Sequence, residues 1–328
     1  MIIQSETITN EDLIEPSDSV ESESVGNEYS TGTNEIEGSF SGSDSGSMAS
    51  FPGMEKKESF KSPTENPDAL LDAYYGTVQG TTLGTRLLQE PKVLKETLEN
   101  IIGPDDRIRI ESTKQNPYRW ICSLIITTKD NKRYIGTGFY IGKNTIATAA
   151  HCIYMHDHGG WAKSIEVIPG RDGSKRPYGS CFTTKFRTVA GWVKDKNSTH
   201  DYGAIIIPTD FIHGSQYGYF GFGNLSTDQL RNQLLYITGY PGDGGQTHIQ
   251  GTLWTHARNI SNITDTKINY DIDTFGGNSG CPGTIVKDGQ VIVTCIHTTG
   301  GVMSNSGTRV RQDVFENLKK WKVEGDSQ

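Results

Sequence analysis

The first 100 of the 328 residues contain neither cysteine nor tryptophan, although the chain has five of each. They hold 14 Glu and 5 Asp against 6 basic residues, which gives a net charge of −13. The other 228 residues hold 20 acidic and 25 basic side chains, or +5, and the two parts sum to the −8 of the chain. A segment this acidic, with so few large apolar residues, cannot bury enough apolar surface to offset the conformational entropy that it would lose on folding by itself. The sequence therefore excludes a single uniform globule.

The chain also lacks any apolar run near the ~18 residues that span a bilayer, so we expect no membrane association. After Met1 there is no basic and apolar leader, so no secretory signal is visible in this sequence. No P-loop, dinucleotide fingerprint or aromatic-basic surface occurs, which argues against nucleotide cofactors and nucleic acid. The histidines near position 151 have no standard zinc spacing, so we expect neither a metal nor a cofactor.

Composition divides the chain into three parts. Residues 1–66 are rich in Ser and Glu and are predicted to be disordered, and residues 67–99 are predicted to be a propeptide segment with weak helical periodicity. Residues 100–328 contain all the Cys and Trp and form the predicted folded body, which we expect to be a monomer.

The body is predicted to be all-β, because short β-rich runs alternate with Gly, Asn and Asp turns. We expect two antiparallel groups of strands with a cleft between them, joined by a linker over 211–232, and one C-terminal helix over 310–321. The predicted strands are 120–127, 133–141, 164–168, 186–193, 203–207, 234–239, 250–255, 267–272, 283–286 and 291–296.

Three short segments carry residue types that acyl transfer requires. His151 follows a run of small residues, Asp201 precedes an apolar strand, and Ser279 lies in the loop Gly276-Gly277-Asn278-Ser279-Gly280. A Ser hydroxyl becomes a nucleophile when an imidazole takes its proton, and the imidazole needs a carboxylate to orient it. The order His, Asp, Ser is that of chymotrypsin-like peptidases, and Cys281 rules out the Gly-x-Ser-x-Gly elbow of α/β-hydrolases.

Motifs along nearly all of residues 100–325 resemble the bacterial extracellular glutamyl endopeptidases of the trypsin/chymotrypsin superfamily. The main matching segments are Ile101-Ile102-Gly103-Pro104-Asp105-Asp106-Arg107, Ala150-His151-Cys152, Asp201-Tyr202-Gly203-Ala204, Gly239-Tyr240-Pro241, Gly277-Asn278-Ser279-Gly280 and Ile296-His297-Thr298. The resemblance implies two six-stranded β-barrels with the His151–Asp201–Ser279 triad between them. It also implies an oxyanion hole formed by the backbone N–H groups of Gly277 and Ser279.

Within this resemblance, Thr274 and His297 match the residues that line the pocket for the side chain before the cleaved bond. A hydroxyl and an imidazole can hydrogen-bond a carboxylate, so we expect cleavage after Glu and less readily after Asp. The distribution of Glu along the chain supports this expectation, since only 4 of 18 Glu lie in the body whereas 16 of 21 Asp do. An enzyme that cuts after Glu survives its own activity better when its body lacks Glu.

Maturation is expected at Glu99, which directly precedes Asn100 and Ile101, either of which would become the new N-terminus. The acidic segment would then be a disposable prosegment, and the resemblance implies a secreted zymogen. The alternatives are the same fold with another preference at the cleaved bond, or a catalytically idle binding relative that uses the cleft for recognition.

Five cysteines in an exported body allow at most two disulfides. Cys281 and Cys295 lie on two arms of a predicted hairpin that turns at 287–290, nearly opposite each other, so we expect them to pair. In relatives Cys152 bonds a cysteine of the preceding strand, but the matching position here is Gly136. Cys122 or Cys181 are the two candidates to replace it.

Overall fold

The computed structural model describes residues 4–10, 36–37, 70–71, 101–211, 213–287, 289–300 and 304–328. Its strands are β1 (Thr7–Thr9), β2 (Ile36–Glu37), β3 (Leu70–Leu71), β4 (Ile108–Ile110), β5 (Ile121–Thr127), β6 (Arg133–Tyr140), β7 (Thr145–Thr148), β8 (Tyr154–Met155), β9 (Gly160–Trp161), β10 (Ser164–Pro169), β11 (Cys181–Thr183), β12 (Lys185–Val189), β13 (Gly203–Ile206), β14 (Gly221–Gly223), β15 (Leu234–Gly239), β16 (Leu253–Asn259), β17 (Asn262–Ile263), β18 (Lys267–Tyr270), β19 (Pro282–Lys287), β20 (Gln290–Gly300) and β21 (Asn305–Arg309). Its α-helices are α1 (Ala150–Ile153), α2 (Ala190–Val193), α3 (His213–Tyr217), α4 (Thr227–Leu230) and α5 (Gln312–Asp326).

Two curled antiparallel sheets form the body, as the sequence predicts. The first has the order β1-β12-β13-β7-β6-β5-β10-β11, and the second has the order β17-β18-β21-β20-β19-β15-β16-β4. Strand β14 joins the second sheet parallel to β20, while β2 pairs with β14 and β3 pairs with β20. The all-β double-barrel fold is confirmed, and the sheets exceed six strands because short segments pair at their edges.

The two ends of the body cross between the sheets. Strand β4, at the start of the body, pairs with β16 of the second sheet. At the other end α5 packs on the first sheet, where the Thr145 hydroxyl donates to the carbonyl of Trp321 at 3.2 Å and the Asn144 amide to that of Gly325 at 3.1 Å. These tertiary contacts explain why α5 extends to Asp326, five residues beyond the end predicted from its apolar face.

The strand predicted over 186–193 is wrong in its second half. Strand β12 ends at Val189, and the next four residues form the helical turn α2 with Trp192 buried. Periodicity cannot separate a short buried helix from a buried strand, which is why the run was read as extended. The predicted linker 211–232 joins the two sheets and itself includes α3, β14 and α4.

The N-terminal region departs from the predicted disorder at residues 4–10, where β1 pairs with β12 of the body. Apart from the short strands β2 and β3, the rest of the predicted disordered region and propeptide lies outside the described residues. Across the described part of the chain, no helix has the length and apolarity needed to cross a bilayer.

All five cysteines are buried free thiols, so the expected disulfides are not present. The strand register does not pair Cys281 with Cys295, because Cys295 lies opposite Gly283, two residues beyond Cys281. Cys122 on β5 and Cys181 on β11 lie on either side of β10 and do not replace the missing partner of Cys152.

Gly136 lies where a partner for Cys152 would stand, since a Cβ on Gly136 would be 3.1 Å from the Cys152 sulfur. We expect Gly136→Cys to form a disulfide with Cys152, because a sulfur attached to this Cβ can reach the Cys152 sulfur. Closing this loop of about 16 residues should raise the free energy of unfolding by up to about 3 kcal/mol. Denaturant unfolding with and without dithiothreitol measures the gain, with Gly136→Ser as control. A peptide map that shows both thiols free under non-reducing conditions would contradict this placement.

Candidate active site

His151 and Asp201 are brought together by the pairing of β7 with β13. Gly203, two residues after Asp201, lies opposite Thr148, three residues before His151. The Asp201 carboxylate receives two bonds from His151, one from the backbone N–H at 2.9 Å and one from ring Nδ1 at 2.7 Å. Both residues are buried, and Asp201 has no solvent exposure. With Nδ1 bound to a carboxylate, Nδ1 carries the proton and Nε2 is left as a base.

The electrostatics of this pair follow from burial and from charge. Burial of the ring acts to lower the pKa of His151, but the charge and hydrogen bond of Asp201, together with the neighbouring Cys152, outweigh it and raise that pKa well above 6.5. The imidazolium form is therefore stabilised by Asp201, as a general base requires once it has accepted a proton.

Two backbone hydrogen bonds orient the peptide groups of the loop that carries Ser279. The carbonyl of Gly276 accepts from Gly242 N–H at 2.6 Å, and that of Asn278 accepts from Cys281 N–H at 2.8 Å. In a trans peptide the N–H points opposite to the C=O, so the following N–H groups, those of Gly277 and Ser279, point away from these bonds. Within the described residues neither N–H donates a hydrogen bond. An oxyanion hole needs backbone N–H groups that no protein acceptor occupies, and these two meet that condition.

Ser279 lies against the segment that carries His151. The Cys152 sulfur is 3.6 Å from the Ser279 carbonyl oxygen, and that oxygen also accepts from Thr137 N–H at 2.9 Å. Ser279 Oγ and His151 Nε2 are both buried and have no hydrogen-bond partner among the described residues, so no bond joins them here. In enzymes without substrate this contact is often long and tightens only in the complex.

The two predicted pocket residues flank the Ser279 loop. Thr274 is fully buried, and its hydroxyl has no hydrogen-bond partner within the described residues. His297 is held against the loop by two backbone bonds, from its N–H to the Cys281 carbonyl and from Gly280 N–H to its own carbonyl. Its ring Nδ1 lies 2.5 Å from the hydroxyl of buried Tyr270. Tyr270 was missed from sequence, because nothing marks a tyrosine on β18 as a neighbour of His297.

Thr137 is a second residue that the sequence did not reveal. Its buried hydroxyl donates to the Gly277 carbonyl at 2.8 Å and accepts from Tyr240 N–H at 3.0 Å. It therefore ties the Ser279 loop to β6 on one side and to the end of β15 on the other.

A third residue that the sequence did not reveal is Lys267. Its amine contacts Thr308, which itself bonds the backbone of Asp201. Its Nζ is 2.9 Å from the Thr298 hydroxyl and 3.2 Å from that of Thr308, which in turn donates to the Asp201 carbonyl at 3.1 Å. Burial lowers the pKa of Lys267 to about 8, although the charge of Asp201 acts to raise it. A lone lysine at a strand start gives no signal of this position in the sequence.

One group of side chains in the described part of the chain has metal-ligand atoms close together, namely Asp106, His256 and Asp273. Their present bonds already account for the cluster. Asp273 accepts from the N–H groups of Ile102 and Asp106, His256 Nδ1 accepts from Asp273 N–H, and Asp106 pairs with Arg258. The histidines near His151 do not converge on one point either, since His156 bonds the Trp192 carbonyl and His158 pairs with Asp130.

The family model described as Trypsin matches residues 107–322 of this chain. The chain belongs to the trypsin family. It is 35% identical over 282 residues to the Glutamyl endopeptidase of Bacillus licheniformis, which covers 80% of this chain and 84% of the relative. It is also 35% identical over 266 residues to a Bacillus subtilis protein named Extracellular metalloprotease, covering 80% and 82%.

Solved structures agree with this membership. One titled "Structure of Glu endopeptidase in complex with MPD" matches with a TM-score of 0.61 and 26% identity, over 68% of this chain and all of that one. The resemblance to glutamyl endopeptidases is thus confirmed, and so is the enzyme class, a serine endopeptidase. The two Bacillus names state different chemistry.

Proposed function

We propose that this chain is the secreted zymogen of a serine endopeptidase that cleaves proteins and peptides after Glu, and less readily after Asp. The observation that carries the proposal is the buried bond from His151 Nδ1 to Asp201, with Nε2 unbonded and the Ser279 loop packed against the same segment. Its relatives named Glutamyl endopeptidase support the specificity.

The reaction proceeds through an acyl-enzyme. His151 Nε2 takes the proton of the Ser279 hydroxyl as Oγ attacks the carbonyl carbon of the substrate, and the carbonyl oxygen becomes an oxyanion held by the N–H groups of Gly277 and Ser279. His151 then gives the proton to the leaving amine as the C–N bond breaks. Water repeats the sequence on the ester, and the released product carries a new carboxylate. Asp201 keeps its negative charge throughout.

The preference for Glu is assigned to Thr274 and His297. The Tyr270 hydroxyl lies within hydrogen-bond distance of His297 Nδ1. When this hydroxyl donates to Nδ1, the neutral ring carries its proton on Nε2, which is then an N–H donor. A substrate carboxylate can then accept from Nε2 and from the buried hydroxyl of Thr274. A site built from hydrogen-bond donors rejects a side chain that cannot use them.

The four glutamates of the body are consistent with this specificity. Glu166 is buried and paired with Arg176, and Glu316 and Glu324 lie within α5, where an extended substrate conformation is blocked. Of these four glutamates, Glu111 is the one that is exposed and lies outside any helix or strand. The prosegment, by contrast, holds 14 Glu and ends at Glu99. Its strand β3 pairs with Thr299 and Gly300 of β20, the strand that carries His297.

Cleavage mapping tests the function. A reduced, denatured protein is digested with the wild-type enzyme and with Ser279→Ala, and the new termini are identified by mass spectrometry. We expect cuts after Glu, fewer after Asp, and none with Ser279→Ala. Cuts after Lys, Arg or Leu would contradict the proposed specificity for Glu. An absence of Ser279-dependent cuts would favour the alternative of a catalytically idle binding relative.

Replacing His297 separates specificity from chemistry. We expect His297→Ala to lower kcat/KM for a Glu substrate by about 100-fold, because the substrate carboxylate loses one of its two proposed hydrogen-bond donors. Labelling of Ser279 by a small acylating reagent should persist. The control is His248→Asn, which changes an exposed histidine. Undiminished Glu cleavage by His297→Ala would show that the pocket is formed by other residues.

A further inference from the structure

The N-terminal residues 4–10 bind the body as an added strand. Strand β1 runs antiparallel to β12, with Thr7 opposite Val189 and Thr9 opposite Arg187. Without β1, strand β12 would be the edge of the first sheet. Main-chain pairing at a sheet edge is a recurring mode of peptide binding, in which the backbone supplies affinity and the side chains supply selectivity.

The same segment completes the N-terminus of α2. Ala190 N–H donates to the Glu6 carbonyl and Gly191 N–H donates to the Gln4 carbonyl, both at 2.7 Å. The first N–H groups of a helix have no partner inside it, so these two bonds satisfy donors that α2 cannot satisfy alone. Trp192, the next residue of α2, is buried with its ring centroid 6.3 Å from that of His151. Residues 4–10 thus hold in place the helical turn whose Trp192 lies beside the His151 ring.

A second set of bonds ties the segment to α5. The Ser5 hydroxyl donates to Asp313 at 2.8 Å, and the Asn317 amide donates to the Ser5 carbonyl at 3.0 Å. Trp321 Nε1 is 3.3 Å from the Thr7 hydroxyl. The strand therefore bridges the first sheet and the C-terminal helix.

Side chains anchor the remainder of the strand. Ile8 is partly buried and packs against the main hydrophobic core, while the Asn10 side-chain oxygen accepts from Phe186 N–H at 2.9 Å. The Glu6 side chain, in contrast, is exposed. These contacts are all noncovalent and all lie within seven residues, far in sequence from the expected cut after Glu99.

From these contacts we propose that residues 4–10 stay bound to the body after the chain is cut at Glu99, so that the mature enzyme is a two-chain complex whose short strand comes from the prosegment. The maturation step rests on the proposed function, but the docking of the strand does not. Cleavage removes the tether and its effective concentration. Retention then depends on noncovalent contacts, of which those of β1 are the most extensive, since β2 and β3 pair with the body over two residues each.

The test uses the full chain carrying Ser279→Ala, with a recognition sequence for a site-specific protease inserted after residue 80. After cutting, size-exclusion chromatography and native mass spectrometry at micromolar concentration should show the N-terminal fragment with the body. In this background the result is independent of the chain's own activity. Separate elution of the two pieces would overturn the proposal and leave the peptidase function untouched.

Synthetic peptides identify the strand as the attachment. A peptide of residues 1–12 should displace the cut fragment from the body, and its binding should change the fluorescence of Trp321. We expect an Ile8→Asp peptide to bind at least tenfold more weakly and the control Glu6→Ala peptide to bind within about threefold of the parent. Because the substitutions are in the peptide, the body folds unchanged in every arm. Equal binding of the Ile8→Asp peptide would show that β1 is not the site of retention.

Discussion

Ser279→Ala is expected to lower kcat by about 10⁶-fold, the loss seen when a serine peptidase loses its nucleophile. The substitution removes an oxygen that has no hydrogen-bond partner in the described structure, so it leaves no buried group newly unsatisfied. The fold and the pocket should therefore persist, and substrate affinity should change little. Turnover of a Glu-containing peptide, together with thermal unfolding, measures both effects.

The control for this experiment is Ser198→Ala, which removes an exposed hydroxyl three residues before Asp201. It should keep full activity. A Ser279→Ala enzyme within tenfold of the wild type would require another nucleophile, and a large loss of unfolding temperature would mean that the hydroxyl stabilises the fold.

Asp201→Asn is expected to lower kcat by about 10⁴-fold while the protein stays folded. Asp201 uses both oxygens, one for the His151 backbone N–H and one for Nδ1. An Asn can accept the first bond only by presenting its NH₂ group to Nδ1. The ring then takes the tautomer with the proton on Nε2, where it cannot accept the proton of Ser279.

The pH dependence of the residual activity has a defined sign. The charge of Asp201 raises the pKa of His151 above 6.5, and the base is the neutral ring, so wild-type kcat/KM should rise with pH through a value above 6.5. Without that charge the pKa of His151 falls, and the acid limb of Asp201→Asn should move to lower pH. Asp157→Asn, which changes an exposed carboxylate, should leave the profile in place. An acid limb that does not move would mean that Asp201 does not set the pKa of His151.

The sequence predicted the parts of the site that depend on local motifs. His151, Asp201 and Ser279 each lie in a short segment of unusual composition, and their order along the chain points to one fold. The all-β character was predictable because short runs of β-branched and aromatic residues alternate along the chain with turn residues. The two glycines of the Ser279 loop likewise predict backbone N–H groups as oxyanion ligands.

What the sequence did not predict depends on tertiary contacts. Tyr270, Thr137 and Lys267 are ordinary strand residues until pairing places them beside His297, Gly277 and the Asp201 segment, respectively. The separation of Cys281 from Cys295 follows from the exact position of the hairpin turn and a register shift near Gly283, and the sequence marks neither to the residue. The strand at residues 4–10 belongs to a region of disordered composition, and only the edge of β12 gives it a partner.

The most direct test of the account is covalent labelling of the enzyme with a fluorophosphonate, which reacts with a serine only when its hydroxyl is activated. The site of the adduct is mapped by peptide mass spectrometry in the wild type and in His151→Ala. The account predicts one adduct, on Ser279, formed rapidly by the wild type and lost in His151→Ala. An adduct on a different residue, or labelling of Ser279 at the same rate without His151, would contradict it.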